Sequence, residues 1–595
     1  MVSLTINGRS VSVKEGTTIL EAARKAKIHI PHLCYLKDLN EIGACRLCSV
    51  EVEGEDKLIP ACDNVVRDGM VVITNSPRVK NATRTNLELI MSQHDSNCTS
   101  CKRSGNCMLQ TLANDYNLTG TTFKQQSLSK KRREWDQTFP IIRDAGKCIK
   151  CMRCVQVCDK IQNMGVWDLV GTGAHAHVDI AGKAGIRNSD CTQCGQCITH
   201  CPVGALTERD DTEKVMAALE DKDKVTVVQI APAVRAGYAE SLGLDPEVAT
   251  VNRLAGALKL IGFDYVFDTS FAADLTIMEE GKEFVRRFTS GELNEVPMFT
   301  SCCPGWVNFV KSQYPEFLPK LSTAKSPQQM FGAVTKAFFG QKMGIDPEKI
   351  VCVSIMPCTA KKGESELESM QKDGIKDVDY VLTTREVMRM FKSERIHLNN
   401  VREVPFDSVL GEYTGAGVIF GTTGGVMEAA LRSAYYFVTG KKPSADAFTE
   451  IRAFSMEDKG VSFEKEDSGE KGVKNKKAVC WREATYDLEG TPVKVAVTSG
   501  LGNARKLLEA IKRKELNVNF VEIMACPGGC AGGGGQPIPG DDSERGMARG
   551  ELLRDIDACS KVRFSHENKE VMKLYEEWLK EPGSEIAEEY LHTHH

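Results

Sequence analysis

Eight cysteines fall into two copies of one spacing, C-x2-C-x2-C-x3-C: Cys148, Cys151, Cys154 and Cys158, then Cys191, Cys194, Cys197 and Cys201. The first run closes on Asp159 and the second on Pro202. Thiols so close and so regular chelate metal, and this spacing is one that wraps [4Fe-4S] clusters. The chain holds 23 cysteines, an odd number for a disulfide framework. Met1 also runs straight into the alternating Val2-Ser3-Leu4-Thr5-Ile6-Asn7-Gly8, with no basic-then-apolar leader. Iron–sulfur ligation in the cytoplasm is therefore the expectation.

The two runs resemble a two-cluster ferredoxin, in which the fourth cysteine of each run ligates the other cluster. The resemblance implies one [4Fe-4S] on Cys148, Cys151, Cys154 and Cys201, and another on Cys191, Cys194, Cys197 and Cys158. Between them, Gly171-Thr172-Gly173-Ala174-His175-Ala176 matches G-x-G-x-x-A after a strand-like stretch at 166–170. No amphipathic helix follows and the segment is trapped between cysteine runs, so nicotinamide binding there is rejected.

Upstream, strand-like stretches at 4–7 and 11–13 precede a helix with Thr17 or Thr18 as N-cap and Glu21 in capping-box spacing, a β-grasp-like opening. Cys34, Cys45, Cys48 and Cys62 follow, with Gly43-Ala44 small enough for backbone amides to close around cluster sulfurs. The pattern resembles the plant-type [2Fe-2S] ferredoxin domain in its long-loop variant. Structural zinc is the alternative, weakened by the single C-x2-C knuckle. A helix at 86–92 precedes His94, Cys98, Cys101 and Cys107. Their spacing suits a zinc site with one histidine and three cysteines equally well. The order resembles the [4Fe-4S] segment, ligated by one histidine and three cysteines, of complex I large-subunit relatives and [FeFe]-hydrogenases.

A helical connector at 211–219 ends the cysteine-rich part. Beyond it, strand-like stretches at 225–230, 265–268, 350–355, 418–420, 493–497 and 520–523 alternate with helical ones such as 246–261 and 273–288. This predicts buried parallel strands of an α/β domain. Three cysteine turns follow strands: Thr300-Ser301-Cys302-Cys303-Pro304-Gly305-Trp306, Met356-Pro357-Cys358-Thr359-Ala360-Lys361-Lys362 and Met524-Ala525-Cys526-Pro527-Gly528-Gly529-Cys530. Strand carboxyl ends are where an α/β sheet places its site. Adjacent thiols on a sharp turn cannot point the same way, so Cys302 and Cys303 should do different jobs. The glycine run after Ala531 could bring backbone close to a cofactor. The charged stretch at 464–477 reads as a solvated loop, and the tail at 566–595 as helical.

Together the three turns resemble the active-site signatures of the [FeFe]-hydrogenases, and the resemblance extends over essentially the whole chain. It implies a multidomain α+β and α/β architecture. A β-grasp [2Fe-2S] domain at 1–80 precedes the one-histidine, three-cysteine segment at 81–125. A two-[4Fe-4S] ferredoxin-like domain at 140–210 and an H-cluster domain at 220–595 follow. It also implies reversible conversion of protons and electrons to H2 at an H-cluster. That cofactor is a [4Fe-4S] cubane joined through a cysteine sulfur to a diiron unit with CO, cyanide and a bridging dithiolate amine.

By the same resemblance Cys303, Cys358, Cys526 and Cys530 hold the cubane, with Cys530 bridging to the diiron unit. Cys302 is left without iron to pass protons, along a path over Glu280, Ser322, Glu283 and Arg287. A free thiol has a pKa of about 8.5 and is mostly protonated near neutral pH, as a relay acid should be. The spacing of Glu280 and Glu283 would also produce a salt-bridged helix face. Lys361 is implied as a donor to cyanide, its buried ammonium needing an anionic partner. Pro232, Gln328, Met356, Phe420 and Met524 are implied as pocket lining, with core packing the competing reading for Phe420 and the methionines. Ala233 stands where some relatives have serine, and Pro527 where some have histidine. Cys352, Cys480 and Cys559 are left as packing or surface thiols.

A balance of 76 basic against 81 acidic residues gives no electrostatic footprint for nucleic acid or an anionic membrane. Two other readings share the motifs. A non-catalytic electron-transfer subunit of complex I type needs the cysteines of the first 210 or so residues but not the three later turns. An H2 sensor usually appends a signalling domain. Within the hydrogenase reading, the resemblance implies electron exchange with ferredoxin, or with flavin- and NAD(P)-binding partner subunits of a bifurcating complex, and assembly by diiron-site maturation proteins.

Overall fold

A computed structural model describes residues 1–123, 134–183, 185–245, 247–452, 480–540, 542 and 544–594; the charged stretch at 464–477 lies outside them. At the N-terminus Val2–Ile6 pairs antiparallel with Arg9–Val13 and parallel with Val71–Ile73, while Ser49–Val52 and Ile59–Pro60 extend the sheet. Strand alternation puts Leu4, Ile6, Val11 and Val13 into a core with Ile19, Leu20, Ala22 and Ala23 of helix Ile19–Lys25. Thr18 caps that helix by accepting from the Glu21 N–H at 3.3 Å. The Glu21 carboxylate turns to Arg24 and Tyr35 rather than closing a capping box.

The helix expected at 86–92 begins earlier and spans Pro77–Met91, with Ser76 as cap and proline in the first turn, where a missing N–H is no loss. In the ferredoxin-like part, short helices Arg153–Gln156 and Gln196–Thr199 start from left-handed residues, Met152 and Gly195. Each begins inside a cysteine run, so the internal repeat is structural as well as sequential. Strands Ile141–Arg143 and Leu206–Glu208 tie its ends together. The rejected glycine motif is the turn between the paired strands Trp167–Val170 and His177–Ile180.

Beyond residue 220 the chain forms two four-stranded sheets. One is wholly parallel: Val225–Ile230 lies between Tyr265–Asp268 and Ile350–Met356, with Tyr380–Thr383 outside. Ile350–Met356 is buried at every position, as a central parallel strand requires. The other is mixed: Phe520–Met524 runs parallel to both Met298–Phe299 and Thr491–Ser499, and Arg482–Leu488 closes it antiparallel. Helix Thr269–Thr289, capped by Asp268, serves both sheets. Phe271, Leu275 and Met278 join the core of the parallel sheet, and Ala273, Ile277 and Phe284 that of the mixed one.

Two expectations are corrected here. The apolar stretch at 418–420 is not a strand; it ends helix Gly415–Ile419. A Cβ on Gly417 would stand 2.4 Å from the Ser270 carbonyl oxygen, so glycine lets this helix press against helix Thr269–Thr289. The helix expected from 246 begins at Val251, after the cap Thr250. No helix among the described residues is long and apolar enough to cross a membrane.

Candidate active site

The two sheets bring the three cysteine turns to one place. The Ala525 N–H donates to Cys303 Sγ at 3.4 Å, joining the first turn to the third. A Cβ on Gly533 would stand 2.1 Å from the Pro357 carbonyl oxygen and 2.8 Å from that of Cys530, and one on Gly535 would stand 2.7 Å from the Cys358 nitrogen. Glycines after Cys530 are therefore required by the second turn, which passes where side chains would be. Burial pushes the Cys303, Cys358, Cys526 and Cys530 thiols up, Cys358 to about 12; at Cys526 the neighbouring Cys194, Cys358, Cys303 and Cys530 push in the same direction. Such thiols become thiolates only against positive charge, which iron supplies. Gln328 Oε1 and Thr423 Oγ1 are buried with no hydrogen-bond partner in the protein, which fits an added polar group.

Cys302 faces differently from Cys303. The Glu280 charge acts on its thiol, which burial holds well above the ordinary range. Glu280 itself is 1% exposed, and burial, followed by the charge of Glu283, pushes its carboxyl up to about 8. Ser322 donates its hydroxyl to Glu283 at 2.8 Å, and Glu283 also meets Arg287 at 2.6 Å and the Thr323 N–H at 3.1 Å. Glu280, Glu283 and Arg287 share one buried stretch of helix Thr269–Thr289. The salt-bridged face that the spacing also allowed is present in part, since Glu283 pairs with Arg287, but it is buried and leaves Glu280 out of the pair.

Lys361 has its anionic partner in the protein. Its ammonium donates to both Glu364 oxygens at 2.9 Å and to the Cys302 carbonyl at 3.1 Å. Glu364, absent from the sequence-based site, also accepts from Ser326, Gln328 and Gln329 at 3.0 to 3.3 Å. The signal for it was a Lys–Glu pair three apart after Cys358, a spacing common on solvated helices. Phe420 and Met524 belong to the core on which Cys302 and Cys303 pack, and Met356 to that of the parallel sheet. Pro232 is buried just past the Val225–Ile230 strand. Ala233 packs with Val418 and Leu553 against Cys530, so a methyl fills the place of a hydroxyl. Cys352 is buried in a strand, Cys480 half-buried and Cys559 exposed.

The other cysteine groups are also gathered. Cys148, Cys151, Cys154 and Cys201 line one cavity, and Cys158, Cys191, Cys194 and Cys197 line another. Cys45 and Cys62 stand within hydrogen-bonding reach of Cys34 and, with the Cys45 and Ala44 backbone amides, hold its thiol below the ordinary range. Cys48 stands likewise against Cys62. His94 Nδ1 lies 2.9 Å from the Lys147 carbonyl, which fixes the proton there and leaves Nε2 free to ligate. Burial favours the neutral ring.

These groups abut in a forked order. Asn40 donates to the carbonyls of both Cys34 and Cys151, at 2.7 and 2.9 Å. Arg103 donates to the Cys201 carbonyl, and a Cβ on Gly204 would stand 2.8 Å from Cys101 Sγ. Both N-terminal groups thus lean on the Cys148–Cys201 void. On the far side, Cys526 Sγ lies 3.8 Å from the Cys194 carbonyl, and a Cβ on Gly534 would stand 2.2 Å from the same oxygen. Gln162 and Gln196 add hydrogen bonds to Ala525 and Gly532.

Comparison with known proteins gives the same division of the chain. A family model described as iron only hydrogenase large subunit, C-terminal domain, matches residues 224–534, and one described as iron hydrogenase small subunit matches 543–595. Models for a 2Fe-2S iron-sulfur cluster binding domain, an NADH-ubiquinone oxidoreductase-G iron-sulfur binding region and a 4Fe-4S dicluster domain match 1–77, 84–121 and 147–205. The chain is 44% identical to the NADP-reducing hydrogenase subunit HndD of Solidesulfovibrio fructosivorans and 36% identical to iron hydrogenase 1 of Clostridium pasteurianum, over 100% of its own length and 99% of theirs. A solved [FeFe]-hydrogenase HydA1 from Chlamydomonas reinhardtii superposes with a TM-score of 0.55 at 38% identity, over 65% of this chain and 98% of that one. Three converging cysteine turns on two α/β sheets, matched along their length by this model and these relatives, place the chain in the iron-only, or [FeFe], hydrogenase family.

Proposed function

We propose that the chain interconverts protons and electrons with H2 in both directions, at an H-cluster whose cubane is held by Cys303, Cys358, Cys526 and Cys530. The observation that carries this reading is the buried carboxyl of Glu280 acting on the Cys302 thiol, on the helix that also carries Glu283 and Arg287. An electron-transfer subunit has no use for a buried acid behind a thiol. When bound, the H-cluster supplies the metal site at which protons are reduced and H2 is split. The protein's residues bring and remove the proton. With a carboxyl at about 8, Glu280 is neutral near pH 7 and can donate. Glu283, held by Arg287 and Thr323, is the next carboxylate, and the Ser322 hydroxyl bonds to it and also reaches Glu280. Unlike surroundings for two acids on one helix suit them to different steps of one reversible transfer. Lys361 holds the Cys302 backbone in place from its seat on Glu364.

Electrons would pass through four accessory clusters: a [2Fe-2S] on Cys34, Cys45, Cys48 and Cys62, a [4Fe-4S] on His94, Cys98, Cys101 and Cys107, and two crossed [4Fe-4S] clusters on the ferredoxin-like runs. The two voids and the free His94 Nε2 support these sets. Domain boundaries near 80, 125, 140 and 210–220 follow from them. The whole-length likeness to a subunit named NADP-reducing supports a nicotinamide-linked partner subunit; flavin-bearing partners, ferredoxin as an alternative donor, diiron-site maturation proteins and a cytoplasmic setting belong to the same proposal.

Infrared spectroscopy of protein made with and without the diiron maturation machinery tests the reading. CO and cyanide bands together with H2 turnover are expected only with it; a matured sample with neither would sink the hydrogenase function. Cys302→Ala should keep iron and bands but lose turnover by about 10²- to 10⁴-fold, the range for removing a proton-transfer group. Near-normal H2 evolution would refute the relay.

A further inference from the structure

The proton path ends on a group that cannot pass a proton on. A guanidinium keeps its protons throughout the physiological range, so Arg287 fixes the charge of Glu283 without relaying it. On another side of Glu283 lies Thr323, whose backbone N–H donates to both carboxylate oxygens at 3.1 and 3.3 Å. The Thr323 hydroxyl meets Nδ1 of His592 at 2.8 Å.

His592 follows helix Glu585–Leu591 and is drawn onto the Ser322 segment by backbone. It forms an antiparallel bridge with Ala324, while the Lys325 N–H donates to Leu591 and the Thr593 N–H to Thr323, at 2.8 and 2.7 Å. Nε2 of the ring lies 3.1 Å from Glu279, a neighbour of Glu280 on the same helix. Glu279 also accepts from the Gly583 N–H and the Tyr575 hydroxyl, so its carboxylate is fixed from three directions. A fixed carboxylate on Nε2 holds the proton there and leaves Nδ1 as the basic nitrogen facing Thr323. The other charged groups facing the ring are Glu283 and, one turn before it, Glu588, whose 55% exposed carboxylate lies 3.8 Å from Nδ1. Burial works against the charged ring, but the bond and charge of Glu279 outweigh it, so His592 keeps a proton to higher pH than an ordinary histidine.

We propose that His592 is the outer proton-exchange group of this path. Its Nδ1 takes a proton from the Thr323 hydroxyl, the Glu283 carboxyl held against the Thr323 N–H returns one to that hydroxyl, and the ring becomes an imidazolium balanced by Glu279. It then gives that proton to solvent beside Glu588, and uptake is the same transfer reversed. The inference rests on the proton path proposed above.

The test uses the full chain with all clusters loaded, comparing His592→Gln and Glu283→Gln with the unchanged protein. Glutamine can still bond to Glu279 and Thr323 but cannot take up a proton. H2 evolution from a reduced viologen is followed across about pH 6 to 9, with infrared bands and the reduction rate of the accessory clusters as proton-independent readouts. Expected for His592→Gln are unchanged bands and cluster reduction, turnover lower by about tenfold or more, a lost inflection in the pH profile, and partial rescue by added imidazole. Turnover within about twofold of the unchanged protein at every pH, with Glu283→Gln inactive, would overturn the role of His592 alone. A loss equal at every pH and not rescued by imidazole would make His592 merely structural and would also overturn it. Full activity in Glu283→Gln would instead remove the path itself.

Discussion

Replacing Glu280 by glutamine should raise stability while removing turnover, with a pH dependence that identifies the cause. An ordinary glutamate ionises near 4.5, whereas Glu280 in the fold ionises near about 8, because burial and then the charge of Glu283 oppose its anion. Between these values the unfolded chain has given up a proton that the folded chain keeps. Stability therefore falls as pH rises through this window and levels off above about 8. At about 1.4 kcal/mol per pH unit, the carboxyl costs about 1 kcal/mol or less at pH 5 and about 4 kcal/mol at pH 8. Glutamine has the shape of the neutral acid and never ionises, so it removes this cost. Paired thermal melts of protein carrying its cubanes but no diiron unit, at about pH 5 and pH 8, measure the effect. The variant should gain little at the lower pH and several degrees at the higher one. In matured protein its H2 evolution should fall by about 10²- to 10⁴-fold. An equal advantage at both pH values, or greater stability of the unchanged protein at pH 8, would refute a buried acid kept neutral by its surroundings.

Glu364→Gln should strip Lys361 of its buried counter-charge. The melt should fall by the equivalent of about 3–5 kcal/mol, and the cyanide infrared bands should shift if Lys361 faces them. Gly534→Ala would place a methyl 2.2 Å from the Cys194 carbonyl and 2.7 Å from Gly195 Cα. Overpacking of about 1–3 kcal/mol is expected. Stopped-flow reduction of the H-cluster from the N-terminal clusters should slow, while hydrogen–deuterium exchange at the H-cluster persists.

Cysteine spacing made most of the cluster-bearing architecture legible, because ligands of one cluster sit on short loops whose separations the metal dictates. Two cavities are lined by the cysteines that the ferredoxin resemblance groups together, Cys148, Cys151, Cys154 and Cys201 in one and Cys158, Cys191, Cys194 and Cys197 in the other, among other residues. The sheets were less legible. The stretch at 418–420 is too short for periodicity to separate strand from helix, and Gly417 decides it by a contact with Ser270 far away in sequence. Met298–Phe299 is a strand of two residues, so nothing local announces that the parallel strands divide into two sheets. Glu364 and His592 were missed for one reason: their meaning lies in partners such as Gln328 and Thr323, and no local pattern encodes a hydrogen bond across 36 or 269 residues.

The forked contact of the N-terminal groups bears on traffic rather than on chemistry. Asn40 ties the first group to Cys151, and Arg103 ties the second to Cys201, so both inlets open onto one junction. From there the only neighbour leading onward among the described cysteine groups is the one at Cys194, against Cys526. With the proposed clusters in place, two donors served by such a junction would share its capacity instead of adding their own. A donor that kept the junction reduced from one inlet would slow entry at the other, without touching it and without any change of shape.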